Sequence, residues 1–233
     1  MFLTENRYSI HRFWWLWLPL IVLVSVAVVD PFLSIEHGKP WMYAENGILE
    51  TAQWLVSAAA FFLGLACLRY CKGRPWLALW LILGALGSLY ITLEEISYGQ
   101  HIFKWETPEY WQAINDQNET NLHNTSSWFD QKPRLVLLIG TVIGGIILPL
   151  VRRYRPASLP ARFNAIYPND ALFWTALCAL LTQMSKKVGK MDFFAVYGRP
   201  SEMNELYIYY FIFLYLLFML INLRAAHAAR PAA

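Results

Sequence analysis

Mainly apolar residues dominate six stretches of the chain, 13–29, 47–68, 76–93, 135–151, 171–185 and 206–223. A helix that crosses a bilayer needs about 20 such residues, so the pattern predicts an all-α membrane helix bundle of about six spans in a single domain, 1–233. The fifth stretch is short and is expected either to be tilted little or to be extended by its flanks. The first follows Arg7 and Arg12 like a signal peptide. Its apolar run is long for that role and no A-x-A site follows, so it is read as an uncleaved anchor.

The polar positions inside these stretches are not scattered. Asn46, Glu50, Gln53 and Ser57 are spaced four, three and four apart, which is one face of a helix. Glu50 falls about one turn inside the span. A carboxylate at that depth is costly unless it faces the bundle interior and finds a partner, so it is a functional candidate. The third stretch runs into TLEEISYGQHIF, residues 92–103. If its helix continues, Glu94, Ser97 and His101 share a face, with Glu95 about 100° away. Acids at a helix C-terminus oppose the macrodipole, so Glu94, Glu95, Gln100 and His101 ask for a further reason to be there.

A long loop, 94–134, follows. Thr107-Pro108-Glu109 is a helix start, and Tyr110, Trp111 and Ile114 give the short helix an apolar, interfacial face. Trp105 and Trp128 suit the same aromatic belt. Glu119 and His123 stand four apart, the spacing that puts two metal ligands on one helical turn. Asn121 and Asn124 lie between and beside them. Pro200 and Ser201 with Glu202 and Glu205 read as ordinary capping of the last helix. Gly140 and Gly144 read as a small-xxx-small packing surface.

Composition supports the membrane reading. Hydrophobic residues are 57% and charged residues 15%, against about 25% charged in soluble domains. A net charge of +3 is too small to point to nucleic acid, and no phosphate loop, zinc ribbon or GxSxG elbow is present. With the N-terminus placed inside, 11 Lys and Arg fall on the inner side (7, 12, 69, 72, 74, 152, 153, 155, 162, 224, 230) and 8 on the outer (39, 104, 132, 134, 186, 187, 190, 199). This is the positive-inside sense. Of the 16 acids only Glu5 and Asp170 fall inside, so the outer face is expected to carry the polar chemistry. Lys186, Lys187 and Lys190 run against the trend and are candidates for holding a substrate phosphate. Cys67, Cys71 and Cys178 are expected to be reduced and structural.

ENGILE with Gln53, EEISYGQ, ETPE and NDQNETNLHN together resemble a group of uncharacterised multi-pass bacterial inner-membrane proteins. Its motifs are E-[DN]-G-x-x-E, E-E-I-S-[WY]-G-Q and N-x-Q-x-E-x-N-L-H-N. The matching positions here include Glu45, Gly47, Glu50, Glu94, Glu95, Ser97, Gly99, Gln100, Asn115, Gln117, Glu119, Asn121, His123 and Asn124. The resemblance covers about a third of the chain and implies a bacterial inner-membrane location. Glu50-x-x-Gln53 near Ser57, with an acidic end to the next helix, is faintly similar to alkaline-ceramidase-like membrane hydrolases. The serine is one position late for that pattern, and the H-x-x-x-H zinc pair is missing.

These residues predict a site at the extracytoplasmic face. As an enzyme, Glu50, Glu94, Glu95, His101, Glu119 and His123 would be catalytic. Gln53, Ser97, Gln100, Asn121, Asn124 and the three lysines would bind a lipid or lipid-linked substrate. Glu94, Glu119 and His123 would hold a divalent metal such as zinc that activates water; a carboxylate alone could serve as general acid or base. The alternative is a non-catalytic membrane component whose polar cluster is a structural lock or a docking site for a partner. A third reading is a small-solute or ion transporter, although no repeat of the kind transporters carry is visible.

Overall fold

The computed structural model describes residues 10–37, 47–115, 118–188 and 199–229. They are helical, with no strand among them. The helices are α1 (Leu18–His37, entered through a wide π-helical turn at Phe13–Trp17), α2 (Ile48–Leu68), α3 (Pro75–Glu95), α4 (Gln100–Phe103), α5 (Glu109–Ile114), α6 (Ser127–Val142), α7 (Leu148–Tyr154), α8 (Phe173–Val188) and α9 (Pro200–Ala228). A second π-helical turn, Ile143–Ile147, joins α6 to α7, so Gln131–Tyr154 runs as one apolar rod. Four helices are long and apolar enough to cross a membrane: Ile48–Leu68, Pro75–Glu95, Gln131–Tyr154 and Pro200–Ala228. Phe13–Val29 is a shorter apolar helix, and α8 has 16 residues.

α9 is the axis. Over its most apolar window 56% of residues are buried, against 22–33% in the other three long helices. In lipid, an apolar residue needs no burial, so packing depth rather than hydrophobicity marks the centre. α2 and α3 form a hairpin through a tight turn that needs Gly73 at φ +76°. They pack so closely that a Cβ on Gly64 would lie 2.8 Å from the Ala85 Cβ. Ala60, Cys67, Leu77 and Leu81 of the hairpin meet Leu216, Met219 and Leu223 of α9. On the other flank, Trp15 and Leu16 pack with Ala171, Leu172 and Ala176 against Phe211 and Leu214. The Tyr207 and Tyr210 hydroxyls donate to the Pro19 and Trp14 carbonyls at 2.9 and 2.7 Å, fixing the first helix on α9. All three cysteines are free and buried, as expected.

The fold separates the charges. One end of the bundle gathers the start of α2, the end of α3, the start of α6 and the start of α9, with Glu50, Glu94, Glu95, Arg134, Glu202 and Glu205. The opposite end carries Arg69, Arg74, Arg152, Arg153 and Arg155, with Arg152 paired to Asp170.

Several expectations change. The close-packing glycines are Gly144 and Gly145, where an added Cβ would strike Pro168, Phe211 and Ala176; at Gly140 it would meet nothing within 4 Å. Ser201 does not cap α9: Arg199 takes the capping position without a side-chain hydrogen bond, and Pro200 begins the helix. α5 does form after Pro108, with Tyr110 exposed and Trp111 half-buried.

Candidate functional site

α3 stops at Glu95. Ser97, Tyr98 and Gly99 all take positive φ, at 47°, 54° and 105°, so the helix does not continue and Glu94, Ser97 and His101 share no helical face. Only glycine adopts such backbone without cost. Here Gly99 also lies under Trp105, whose ring would sit 3.1 Å from an added Cβ. The three left-handed residues break the line of α3, and α4 begins beyond them, with the His101 N–H donating to the Ile96 carbonyl at 3.3 Å. Two separate polar nodes form around this corner.

The first node centres on Glu119, which is buried. Its Oε1 accepts from His101 Nε2 at 2.8 Å, and its Oε2 accepts from Ser97 Oγ at 2.9 Å, Asn121 Nδ2 at 2.6 Å and Asn124 Nδ2 at 3.3 Å. Asn121, wholly buried, also donates to Ser97 Oγ at 3.0 Å and accepts from Asn115 Nδ2 at 2.8 Å. Gln100 Oε1 accepts from the Thr120 backbone N–H at 2.8 Å and its Nε2 donates to Thr107 at 2.7 Å. Burial alone would raise the Glu119 pKa, but hydrogen bonds from His101, Ser97 and Asn121 prevail and hold it below the ordinary value. The hydrogen bond to Glu119 raises the His101 pKa, against burial and with smaller help from the Glu119 and Glu50 charges. The shifts run in opposite senses, each favouring the charged form of its own group. His101 Nδ1 faces Glu50 Oε1 at 4.0 Å.

The second node centres on Glu94. Tyr98 Oη donates to its Oε1 at 2.7 Å. Its Oε2 accepts from the backbone N–H groups of Leu122 and His123, both at 2.9 Å, and lies 3.2 Å from His123 Nδ1. A carboxylate only accepts, so Nδ1 carries a proton, and in the neutral imidazole form the lone pair falls on Nε2. Nε2 makes no hydrogen bond to a described residue. The Glu94 side chain is 5% exposed and that of His123 31%: one partner is buried as an orienter, the other is open.

His123 opens into a cleft of about 1650 Å³ between α3 and α6, floored by α9. Ordinary small-molecule pockets run to about 300–1,000 Å³. Leu83, Gly84, Gly87 and Ile91 form one wall, Val136, Leu137 and Gly140 the other, and Ile212 and Leu216 the floor. At the acidic end the lining changes to Glu50, Glu94, Glu95, Glu202, Glu205, Tyr209, Lys132, Arg134 and Arg199. Glu95 accepts from Tyr209 Oη at 3.1 Å. Glu205 is ion-paired with Arg134. Gln53 is wholly buried behind Glu202; its Nε2 donates to the Glu202 carbonyl at 2.9 Å, while its Oε1 has no described partner.

Two groupings thus emerge from the predicted set. His101, Ser97, Gln100, Glu119, Asn121 and Asn124 tie the loop to the corner. Glu94 and His123, with Glu50 and Glu95, reach the cleft. Glu119 and His123 do not share a helical turn, because residues 118–122 are non-helical; each bonds to a different partner on the α3 side. Lys186 and Lys187 lie in α8 without described side chains, and Glu45, Asn46, Gln117 and Lys190 lie outside the described residues. Tyr98, Arg134, Glu202, Glu205 and Tyr209 escaped the sequence reading. The signal for the last three was their spacing of three and four along one face of α9, hidden because the first two also fit a capping pattern.

The metal expectation meets a poor fit. Among the described residues, no three His, Cys, Asp or Glu side chains come together in a group that could hold a metal ion. Glu94 and Glu119 sit in different nodes, each already accepting four hydrogen bonds, so an ion held by Glu94, Glu119 and His123 would require both nodes to be rebuilt. Comparison of the chain with known proteins found no matching family model, no matching curated protein and no matching solved structure.

Proposed function

We propose that this is a six-span inner-membrane protein with both termini cytoplasmic, and that it is a hydrolase or transferase acting on a lipid or lipid-linked substrate held in the α3–α6 cleft. What carries the reading is the Glu94–His123 pair at the polar mouth of an otherwise apolar cleft. A buried carboxylate that fixes a histidine tautomer and leaves the other nitrogen open is the arrangement of a general base. His123 Nε2 takes the proton of a water or of an acceptor hydroxyl as that oxygen attacks the substrate. His123, protonated in that step, returns the proton to the leaving group, while Glu95, accepting from Tyr209, stands at the same mouth. The Glu119 node is read as the lock that holds the 104–126 loop, and with it His123, against the end of α3.

The test is turnover of a bacterial membrane lipid extract by the purified protein in nanodiscs, followed by mass spectrometry. The wild type is expected to consume one lipid class. His123→Ala is expected to slow this by about 10²- to 10⁴-fold while keeping the melting temperature. Absence of any change in the lipid profile with the wild type would remove the catalytic reading and leave the lock. Metal analysis of the same preparation decides the metal alternative: stoichiometric zinc lost on Glu94→Ala or His123→Ala would restore it.

A further inference from the structure

We infer that the occupant of the cleft is a glycerophospholipid whose headgroup carries a primary amine beside its phosphate; this rests on the lipid-handling reading above. Glu95 ends a helix whose preceding apolar run spans residues 76–93, and Glu202 sits in the first turn of α9. Both therefore lie where an apolar core gives way to the headgroup layer. The cleft below them is walled by Leu83, Ile91, Val136 and Leu137 and narrowed by no side chain at Gly84, Gly87 or Gly140. At Gly87 and Gly140 an added Cβ would meet nothing within 4 Å. Glycines that face open space rather than a neighbouring helix leave room for a chain that is not protein.

The polar mouth has two signs of charge. Glu94 is committed to His123, and Glu205 to Arg134. Glu95 accepts one hydrogen bond, from a tyrosine, and Glu202 Oε2 one long contact of 3.5 Å from Gln53. Each carboxylate keeps acceptor sites for an ammonium group, which brings three N–H donors. On the same rim stand the exposed Lys132 and Arg199, which suit a phosphate. An anionic headgroup without an amine would answer the cations and be repelled by the acids. A quaternary ammonium has no N–H to offer them. Only the amine-bearing phospholipid satisfies both signs while its acyl chains lie along the apolar walls.

The full-length protein, purified in detergent, is incubated with equimolar dioleoyl phosphatidylethanolamine, phosphatidylglycerol and phosphatidylcholine. Retained lipid is quantified after gel filtration. Phosphatidylethanolamine is expected to be enriched about tenfold over each of the others, the size of one or two charge-assisted hydrogen bonds. Glu95→Gln with Glu202→Gln is expected to erase that preference and leave total lipid unchanged. If the double variant does not fold, Glu202→Gln alone, at a half-buried first-turn position, serves in its place. Lys132→Gln with Arg199→Gln lowers retention of all three alike, and Gly140→Trp, which fills the cleft, lowers it most. Equal retention of the three lipids, a preference for phosphatidylglycerol, or a preference that survives the acid variants overturns the headgroup assignment while leaving a lipid cleft. Retention that Gly140→Trp does not reduce overturns the cleft as well.

Discussion

At the scale of single residues, the buried carboxylates differ in what they are for. Glu119 is buried with every oxygen engaged, and removing it would leave His101 and Asn121 without their acceptor. Taking one partner from a buried charge pair costs about 3–5 kcal/mol, so Glu119→Ala is expected to lower the unfolding midpoint sharply, and Asn121→Ala by about 1–3 kcal/mol. A shift in Glu119→Ala no larger than that of an exposed control such as Glu109→Ala would show the node to be decorative. The same pair sets a pH window. The folded His101 pKa is raised, so its contribution is complete below the ordinary histidine value and fades as pH climbs through the raised one. The folded Glu119 pKa is lowered, so its contribution is complete above the ordinary glutamate value and fades as pH drops through the lowered one. Stability should therefore form a plateau between about pH 4.3 and 6.5, the ordinary values of the two groups, and decline on both sides. Thermal melts across pH read this directly, and His101→Gln should flatten the alkaline decline.

At the scale of elements, the glycines sort the helices into those that touch protein and those that line the cleft. An alanine at Gly145 would bring a Cβ to 2.3 Å from the Ala176 Cβ and 2.8 Å from the Phe211 ring. Overpacking of this kind costs about 1–3 kcal/mol, so Gly145→Ala is expected to destabilise, and Gly140→Ala on the same rod is expected to be neutral. Equal melting temperatures for the two would contradict the packing of Gln131–Tyr154 on α8 and α9. The two positions could not be told apart in the sequence, because small-xxx-small spacing marks a face of a helix without saying whether that face meets a neighbour. The corner after α3 was hidden for a related reason. Ser97 and Tyr98 give no sequence signal for positive φ, and only Gly99 does; the left-handed run exists because Trp105 and the Glu119 node hold it from outside.

At the scale of the whole molecule, the proposed six crossings would put the acidic end and its cleft outside the cytoplasm, with both termini inside. Single cysteines introduced near residue 5 and residue 230 should resist a membrane-impermeant maleimide in intact spheroplasts, while one at the exposed Glu106 should react; labelling in the reverse sense would turn the cleft to the cytoplasmic leaflet. Much of this architecture was legible in the sequence alone. Long apolar runs must be helices in lipid, since every backbone N–H and C=O has to be satisfied within the segment. Polar residues at helical spacing within a span must face the interior, which singled out Glu50 and Gln53; Glu94 and Glu119 were marked by spacings to His101 and His123 whose helices do not form. Local rules of this kind need no knowledge of neighbours. Pairing does: Glu119 met His101 rather than His123, and Glu94 met His123, because the helix broke at 97–99 and the loop came back across the end of α3. The cleft, and the meeting there of Glu95 with Glu202, Glu205 and Tyr209 from a helix more than a hundred positions away, belong to the packing of α3 and α6 around α9, a contact between segments that no spacing along the chain encodes.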